Sequence, residues 1–222
     1  MFRLKLAVRA VVVVAMVAAI LFGSAGRIDL PFFWAYVVLL GGFTIFTLLT
    51  VSRELIEERV RPAAHGRDNL TLLRTIAFVV FLGQWIVAGL DVGRFHGSAA
   101  VPTAVQALAL VGLAAVFAIW HWAMRVNPFF SVAVRLQRER GHRVVSAGPY
   151  RFVRHPGYAA FVLLGWCGAL ALGSWWAAAF HVAVIVLFVR RAALEDRMLL
   201  EELEGYREYA ARVRYRFLPG VW

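Results

Sequence analysis

The stretch Gly148-Pro149-Tyr150-Arg151-Phe152-Val153-Arg154-His155-Pro156-Gly157-Tyr158 packs two arginines, a histidine and two tyrosines between long apolar segments. Charge at the edge of an apolar run is costly unless water or protein satisfies it. The stretch is therefore either a solvated loop at a membrane surface or a polar site held by the protein. The flanking runs decide the fold. Residues 6–22, 32–51, 72–90 and 102–124 are long and apolar enough to cross hydrocarbon as helices, which satisfy their own backbone groups there. Two shorter runs, 158–172 and 175–189, flank Gly173-Ser174 and read as a tight helical hairpin, deeply inserted. The expected fold is all-α: a polytopic integral membrane bundle of about six membrane-inserted helices with a cytoplasmic C-terminal helix.

Composition agrees. The chain is 62% hydrophobic with a mean hydropathy of +0.72, outside the range of an ordinary soluble domain. Residues 6–22, with their basic start, also have the shape of a signal peptide. No clear small-residue cleavage site follows, so a retained helix is expected.

The net charge of +11 suggests nucleic acid, but its distribution does not. Arg3, Lys5 and Arg9 precede the first helix, which places the N-terminus in the cytoplasm. Threading the chain through six segments then leaves only Arg27 and Arg94 on the far side and returns the C-terminus to the cytoplasm. That is membrane topology plus attraction to anionic lipid, with no nucleic-acid partner. Arginine supplies all of the 24 basic residues except Lys5, which suggests a GC-rich, bacterial genome and an inner-membrane location.

The lone Cys167 sits in an apolar run and excludes an intramolecular disulfide; it reads as a small buried hydrophobe. The histidines (His65, His96, His121, His142, His155, His181) show no ligand spacing, so no metal is expected. Composition shifts near residue 125, dividing the chain into N-terminal helices (1–124) and a region dense in Arg, Glu, His and Tyr (125–222). The joint 52–69, with Glu54, Glu57, Glu58, Arg59, Arg61 and Asp68, reads as a helix end and a solvated Pro-containing turn. Trp120, Trp122, Trp175 and Trp176 fit interfacial belts. After Arg190-Arg191 an amphipathic helix over 192–209 is expected, with Leu194, Met198, Leu199 and Leu203 on one side. The basic, aromatic tail 212–222 lies on headgroups or caps the site from below.

Topology brings residues 137–145, 148–158, Arg191 with Glu195, and the tail to one face. Each has a plain reading. Arg191 and Glu195, four apart on a helix, make an intrahelical ion pair. Pro156 opens a helix whose cytoplasmic end is marked by Arg154-His155. Their convergence points further, because a pore or scaffold needs no such density of Tyr, His, Arg and Glu.

The run His142-Arg143-Val144-Val145-Ser146-Ala147-Gly148-Pro149-Tyr150, then Arg154-His155-Pro156-Gly157-Tyr158, then Arg191-x-x-x-Glu195-Asp196-x-x-Leu199, resembles the isoprenylcysteine carboxyl methyltransferase family. The tail from Gly205-Tyr206 to Leu218-Pro219-Gly220 looks like its bacterial branch. The resemblance covers about residues 125–222. It implies a membrane methyltransferase using S-adenosylmethionine and releasing S-adenosylhomocysteine; no glycine-rich turn after a strand suggests a soluble nucleotide-binding domain. By similarity, Gln137, His142, Arg143, Val144, Val145, Tyr150, His155, Pro156, Gly157 and Tyr158 contact the cofactor. Glu195 holds a polar part of it and Arg191 faces the acceptor, these two being the catalytic pair. Gln137 lies closer to His142 than in eukaryotic members, and Asp196 stands where a second glutamate is usual.

The chemistry suits those roles. Aromatic faces and a carboxylate stabilise a sulfonium cation. A carboxylate acceptor is ionised at neutral pH and needs no base, only alignment and removal of water. Arginine orients a carboxylate in a bidentate grip and repels a protonated amine. The implied acceptor is a lipophilic, membrane-resident molecule such as a prenylcysteine, reached from membrane lipid, and no feature calls for an obligate protein partner. Alternatives are phospholipid or small-lipid N-methylation, a sterol-reductase-like protein using a nicotinamide, and a non-enzymatic scaffold.

Overall fold

The structure, a computed structural model, describes residues 2–60, 66–179, 181–220 and 222. Arg61 and His65, and the side chain of Arg3, lie outside the described residues. Nine α-helices are described: α1 (Phe2–Ala25), α2 (Pro31–Thr50), α3 (Arg53–Val60), α4 (Leu70–Leu90), α5 (Thr103–Val126), α6 (Pro156–Ala171), α7 (Trp175–Ala179), α8 (His181–Glu202) and α9 (Tyr206–Arg212). No strand occurs among the described residues.

Five stretches are long and apolar enough to cross a membrane: Lys5–Ala25, Pro31–Thr50, Leu70–Phe95, Thr103–Val126 and Trp175–Glu202, with the shorter apolar Pro156–Ala171 beside them. In the first four, only 11% to 22% of the most apolar window is buried. Val12, Val38, Leu49, Phe78, Leu108 and Val111 all stand exposed. An apolar surface that broad is stable only against lipid, so the chain is an integral membrane helical bundle.

Two boundaries differ from expectation. Helix α8 runs unbroken through Arg190-Arg191 to Glu202, where a new helix was expected to begin at 192. Lateral partners satisfy Arg191, so the charge imposes no break. The helix ends instead at Glu202, and Gly205, with a φ of +76°, precedes α9. The joint 52–69 contains a helix of its own, α3, in place of a simple connector.

The chain forms two compact units interleaved in sequence. One comprises Met1–Thr50, Ile76–Phe117 and Leu163–Val184. Val17, Leu21, Phe33, Tyr36, Leu113 and Leu172 form its core. At Gly93 an added Cβ would fall 2.4 Å from the Ala25 carbonyl, the close backbone approach that small residues allow between membrane helices. A π turn, Asp91–Phe95, ends α4. Asp91 accepts from Ser98 N at 2.7 Å and from the Ser98 and Ser174 hydroxyls at 2.6 Å each. Ser174 in turn caps α7 by accepting from Ala177 N at 3.1 Å.

The other unit comprises Val51–Thr75, Ala118–Val162 and Ile185–Trp222. Its core is Val134, Met198, Leu199, Tyr206 and Tyr209. Its loops are tied by backbone bonds. Arg67 N donates to Val134 O at 2.8 Å, while Arg154 N and His155 N donate to Tyr215 O and Arg216 O at 2.9 Å each. The tail is thus stitched to the chain just before α6 and curls on itself, Arg216 lying 4.6 Å from the Trp222 ring centroid.

Candidate active site

The polar unit holds a cleft of about 740 Å³, counted out to its open mouth. Its first wall is made by the turn at Gly148. This residue has φ +57°, and an added Cβ would lie 2.8 Å from Trp122 Nε1, so the position demands glycine on both counts. The 3₁₀ turn that follows, Gly148–Arg151, buries Tyr150. Its hydroxyl accepts from Asn127 Nδ2 at 3.0 Å, and its carbonyl accepts from the Tyr209 hydroxyl at 2.8 Å. Burial pushes the Tyr150 phenol well above its ordinary range, so it stays protonated.

The second wall is the start of α6, where Pro156 supplies the pre-set φ and needs no hydrogen-bond partner. His155 precedes it, its Nε2 2.8 Å from Asp196 Oδ1. Asp196, 1% exposed, also accepts from Arg154 Nη2 at 2.6 Å, from the Tyr206 hydroxyl at 2.7 Å and from Arg216 Nε at 2.5 Å. One carboxylate on α8 therefore fixes α6, α9 and the tail together. Burial pushes the Tyr206 hydroxyl up and Asp196 adds to the shift, so it remains a donor.

The third wall is the loop 127–145. His142 stacks on Phe129 with ring centroids 4.4 Å apart, and its Nδ1 accepts from Gln137 N at 3.2 Å. Burial, reinforced by Arg135 and Arg140, pushes this imidazole down to about 4. It is neutral at physiological pH. Arg135 is itself spent: its Nη2 lies 3.0 Å from both Glu58 oxygens and its Nη1 2.7 Å from Glu139.

Of the residues singled out in the sequence, His142, Arg143, Val144, Val145, Tyr150, His155, Pro156, Gly157, Tyr158 and Glu195 line this one cleft. Gln137 and Arg191 are not among its lining residues. Gln137, fully buried, donates to Phe129 O at 2.8 Å and accepts from Arg140 Nη1 at 2.5 Å; it holds the wall from behind. The intrahelical Arg191–Glu195 pair is not what forms. Arg191 reaches Asp68 Oδ2 at 2.5 Å, Val132 O, and the Tyr158 hydroxyl at 2.8 Å. Tyr158 relays the contact, donating to Glu195 Oε2 at 2.5 Å. Sequence reading put Asp68 in a solvated turn, and missed Asn127, Phe129 and the gathering role of Asp196. Their partners lie far along the chain, and only the Arg154-His155 pair hinted that an acid was needed.

Glu195 is the one acid lining the cleft among the described residues, and Phe129, Phe130, Tyr150 and Tyr158 present ring faces or edges to the same space. No group of His, Cys, Asp and Glu suited to a metal ion occurs among the described residues. Arg135, Arg143 and Arg154 line it too, so the cleft suits a ligand with a cationic centre near Glu195 and the rings and an anionic group elsewhere.

The bundle and this cleft define a polytopic membrane protein with a polar cleft in its charged unit. Residues 104–201 match the Isoprenylcysteine carboxyl methyltransferase (ICMT) family, and this match supports the resemblance read from the sequence. The match points to a membrane methyltransferase. The matched segment contains the whole run from Gln137 to Glu195 and ends before the tail. Comparison with the curated proteins found no match.

Proposed function

We propose that this membrane protein uses S-adenosylmethionine to methylate a carboxylate on a lipophilic, membrane-resident acceptor of the prenylcysteine kind. The observation that carries the reading is Glu195, one acid in a cleft walled by rings. The residues fit the donor. Glu195 and the Tyr158 ring stabilise a positive sulfur, neutral His142 adds no competing charge, and exposed Arg143 at the cleft is free to meet an amino-acid carboxylate.

When bound, S-adenosylmethionine supplies an electrophilic methyl group on a sulfonium centre. The acceptor's carboxylate oxygen forms the new O–CH₃ bond, the C–S bond breaks with its electron pair going to sulfur, and no proton moves. The protein therefore needs no general base; its task is alignment and exclusion of water, worth up to roughly 7–11 kcal/mol. Tyr158, held by both Arg191 and Glu195, fixes one wall of that alignment. We place the charged unit and both termini on the cytoplasmic side of a bacterial inner membrane, because the basic residues concentrate there.

Calorimetry with S-adenosylhomocysteine on detergent-purified protein tests the donor. Methyl-transfer screening with labelled S-adenosylmethionine, against prenylcysteine analogues and extracted lipids, tests the acceptor. Absence of S-adenosylhomocysteine binding sinks the reading. Base-labile methyl esters support a carboxyl acceptor, and base-stable products overturn it.

A further inference from the structure

The polar unit contains a cation that the scheme above leaves unused. Arg59 lies on α3, and its guanidinium is 4.8 Å from the Phe130 ring centroid and 6.0 Å from that of Trp120. No salt bridge or hydrogen bond from its side chain occurs among the described residues. The neighbouring acids have other partners: Glu58 takes Arg135 and Ser131, Asp68 takes Arg191, and Glu195 takes Tyr158. A half-buried, unpaired guanidinium is costly to keep charged unless an anion visits it.

Its position connects it to the cleft. Phe130 lines the cleft and presses on Gly157, where an added Cβ would lie 2.4 Å from the ring. Arg59 on that ring is thus one side chain away from the cleft wall. Burial pushes the guanidinium down to about 10. The Arg191 charge acts against it.

An apolar track starts at the same point. Trp120 under Arg59 meets Phe161 at 5.3 Å, Phe161 meets Phe188 at 4.6 Å, and Phe188 meets Tyr158 at 5.2 Å, all centroid to centroid. These rings come from α5, α6 and α8, and the track runs from the cation to the tyrosine of the cleft.

The geometry points to Arg59 as the anchor for the acceptor's carboxylate, with the acceptor's apolar body lying along Trp120, Phe161 and Phe188. The assignment rests on the proposed carboxyl methylation and deepens it. Arg191, with three partners already, then acts as a positioning residue for Tyr158, and Arg59 touches the substrate. Recognition by charge also gives release: the carboxylate becomes a neutral methyl ester on transfer, and the ion pair that held it is gone.

The test compares N-acetyl-S-farnesylcysteine with its carboxamide, which keeps the lipid and removes the charge. Binding of both is measured in detergent for wild type, Arg59→Gln and Arg59→Lys, with S-adenosylhomocysteine calorimetry alongside as a check that the cleft has folded. Wild type should prefer the carboxylate by about tenfold or more, the size expected of a charge-assisted pair. Arg59→Gln should lose that preference while S-adenosylhomocysteine affinity stays within about twofold, and Arg59→Lys should retain part of it. A carboxylate preference that persists in Arg59→Gln, or is absent from wild type, overturns the anchor. Should wild type fail to bind S-adenosylhomocysteine, the methyl-transfer reading falls instead. The carboxylate–carboxamide comparison then still judges Arg59, because it needs no turnover.

Discussion

The Tyr158 hydroxyl donates to Glu195 Oε2 at 2.5 Å while accepting from Arg191 Nε at 2.8 Å. The acid and the arginine, four residues apart on α8, therefore communicate through a tyrosine on α6. Arg191 is satisfied elsewhere, by Asp68 and Val132 O, so it makes no direct ion pair with Glu195. Had the two paired directly, the Glu195 carboxylate would face its own helix in place of the cleft.

Glu195→Gln should show this directly. S-adenosylmethionine and S-adenosylhomocysteine differ by a methyl group and a positive charge at sulfur. In the variant, affinity for the charged ligand should fall by about 10–100-fold, the range of a charge-assisted contact, and more than affinity for the neutral one. Calorimetry with both ligands measures it; an unchanged ratio of the two affinities would remove Glu195 from the sulfonium's surroundings. Tyr158→Phe should give a smaller loss, because the carboxylate survives but is no longer held.

Asp196→Asn is expected to act on stability first. Asp196 is 1% exposed and in ion-pair range of Arg154, His155 and Arg216. Removing the charge strands buried cations at a cost of about 3–5 kcal/mol. Thermal unfolding in detergent should show a clearly lowered midpoint. The loss should be largest in the tail and α9, which hydrogen exchange at 206–217 would localise.

Much of the fold was legible because apolar runs of membrane length have few alternatives to helix. What was not legible has a common cause. The sequence around Arg190-Arg191 looks like a boundary because charge usually ends a membrane segment. Here Arg191 is paired sideways with Asp68, 123 residues earlier, and nothing local announces that. Glu58 and Arg135, 77 residues apart, make α3 part of the site for the same reason. Within 142–158 the cleft residues were readable because one continuous loop and helix start carries most of them. Gln137 looked like a lining residue and instead braces Phe129, since a buried amide serves a backbone carbonyl as readily as a ligand.

Gly148→Ala should separate local strain from chemistry. The substitution puts a Cβ at φ +57° and 2.8 Å from Trp122 Nε1. The left-handed conformation alone costs about 1 kcal/mol, and the clash adds to it. Because the turn carries Tyr150 into the cleft, S-adenosylhomocysteine affinity should fall along with the unfolding midpoint. A variant with lowered stability and unaltered affinity would show that Tyr150 is not needed for the ligand.

The pH dependence should reveal His142. Its imidazole is pushed from 6.5 down to about 4 by burial, with Arg135 and Arg140 contributing. The unfolded chain therefore binds a proton more readily than the folded one between those values. It follows that stability rises with pH across that window. The contribution is fully present above about pH 6.5 and is lost as pH falls toward 4. Unfolding midpoints measured from pH 7 to pH 4 should decline for wild type and decline less for His142→Gln, which cannot take up the proton. Because His142 stacks on Phe129 in the cleft wall, S-adenosylhomocysteine should protect wild type against acid more than it protects the variant. Parallel pH profiles for the two proteins would show that the imidazole is already solvated, and would remove it from the wall that the donor is proposed to meet.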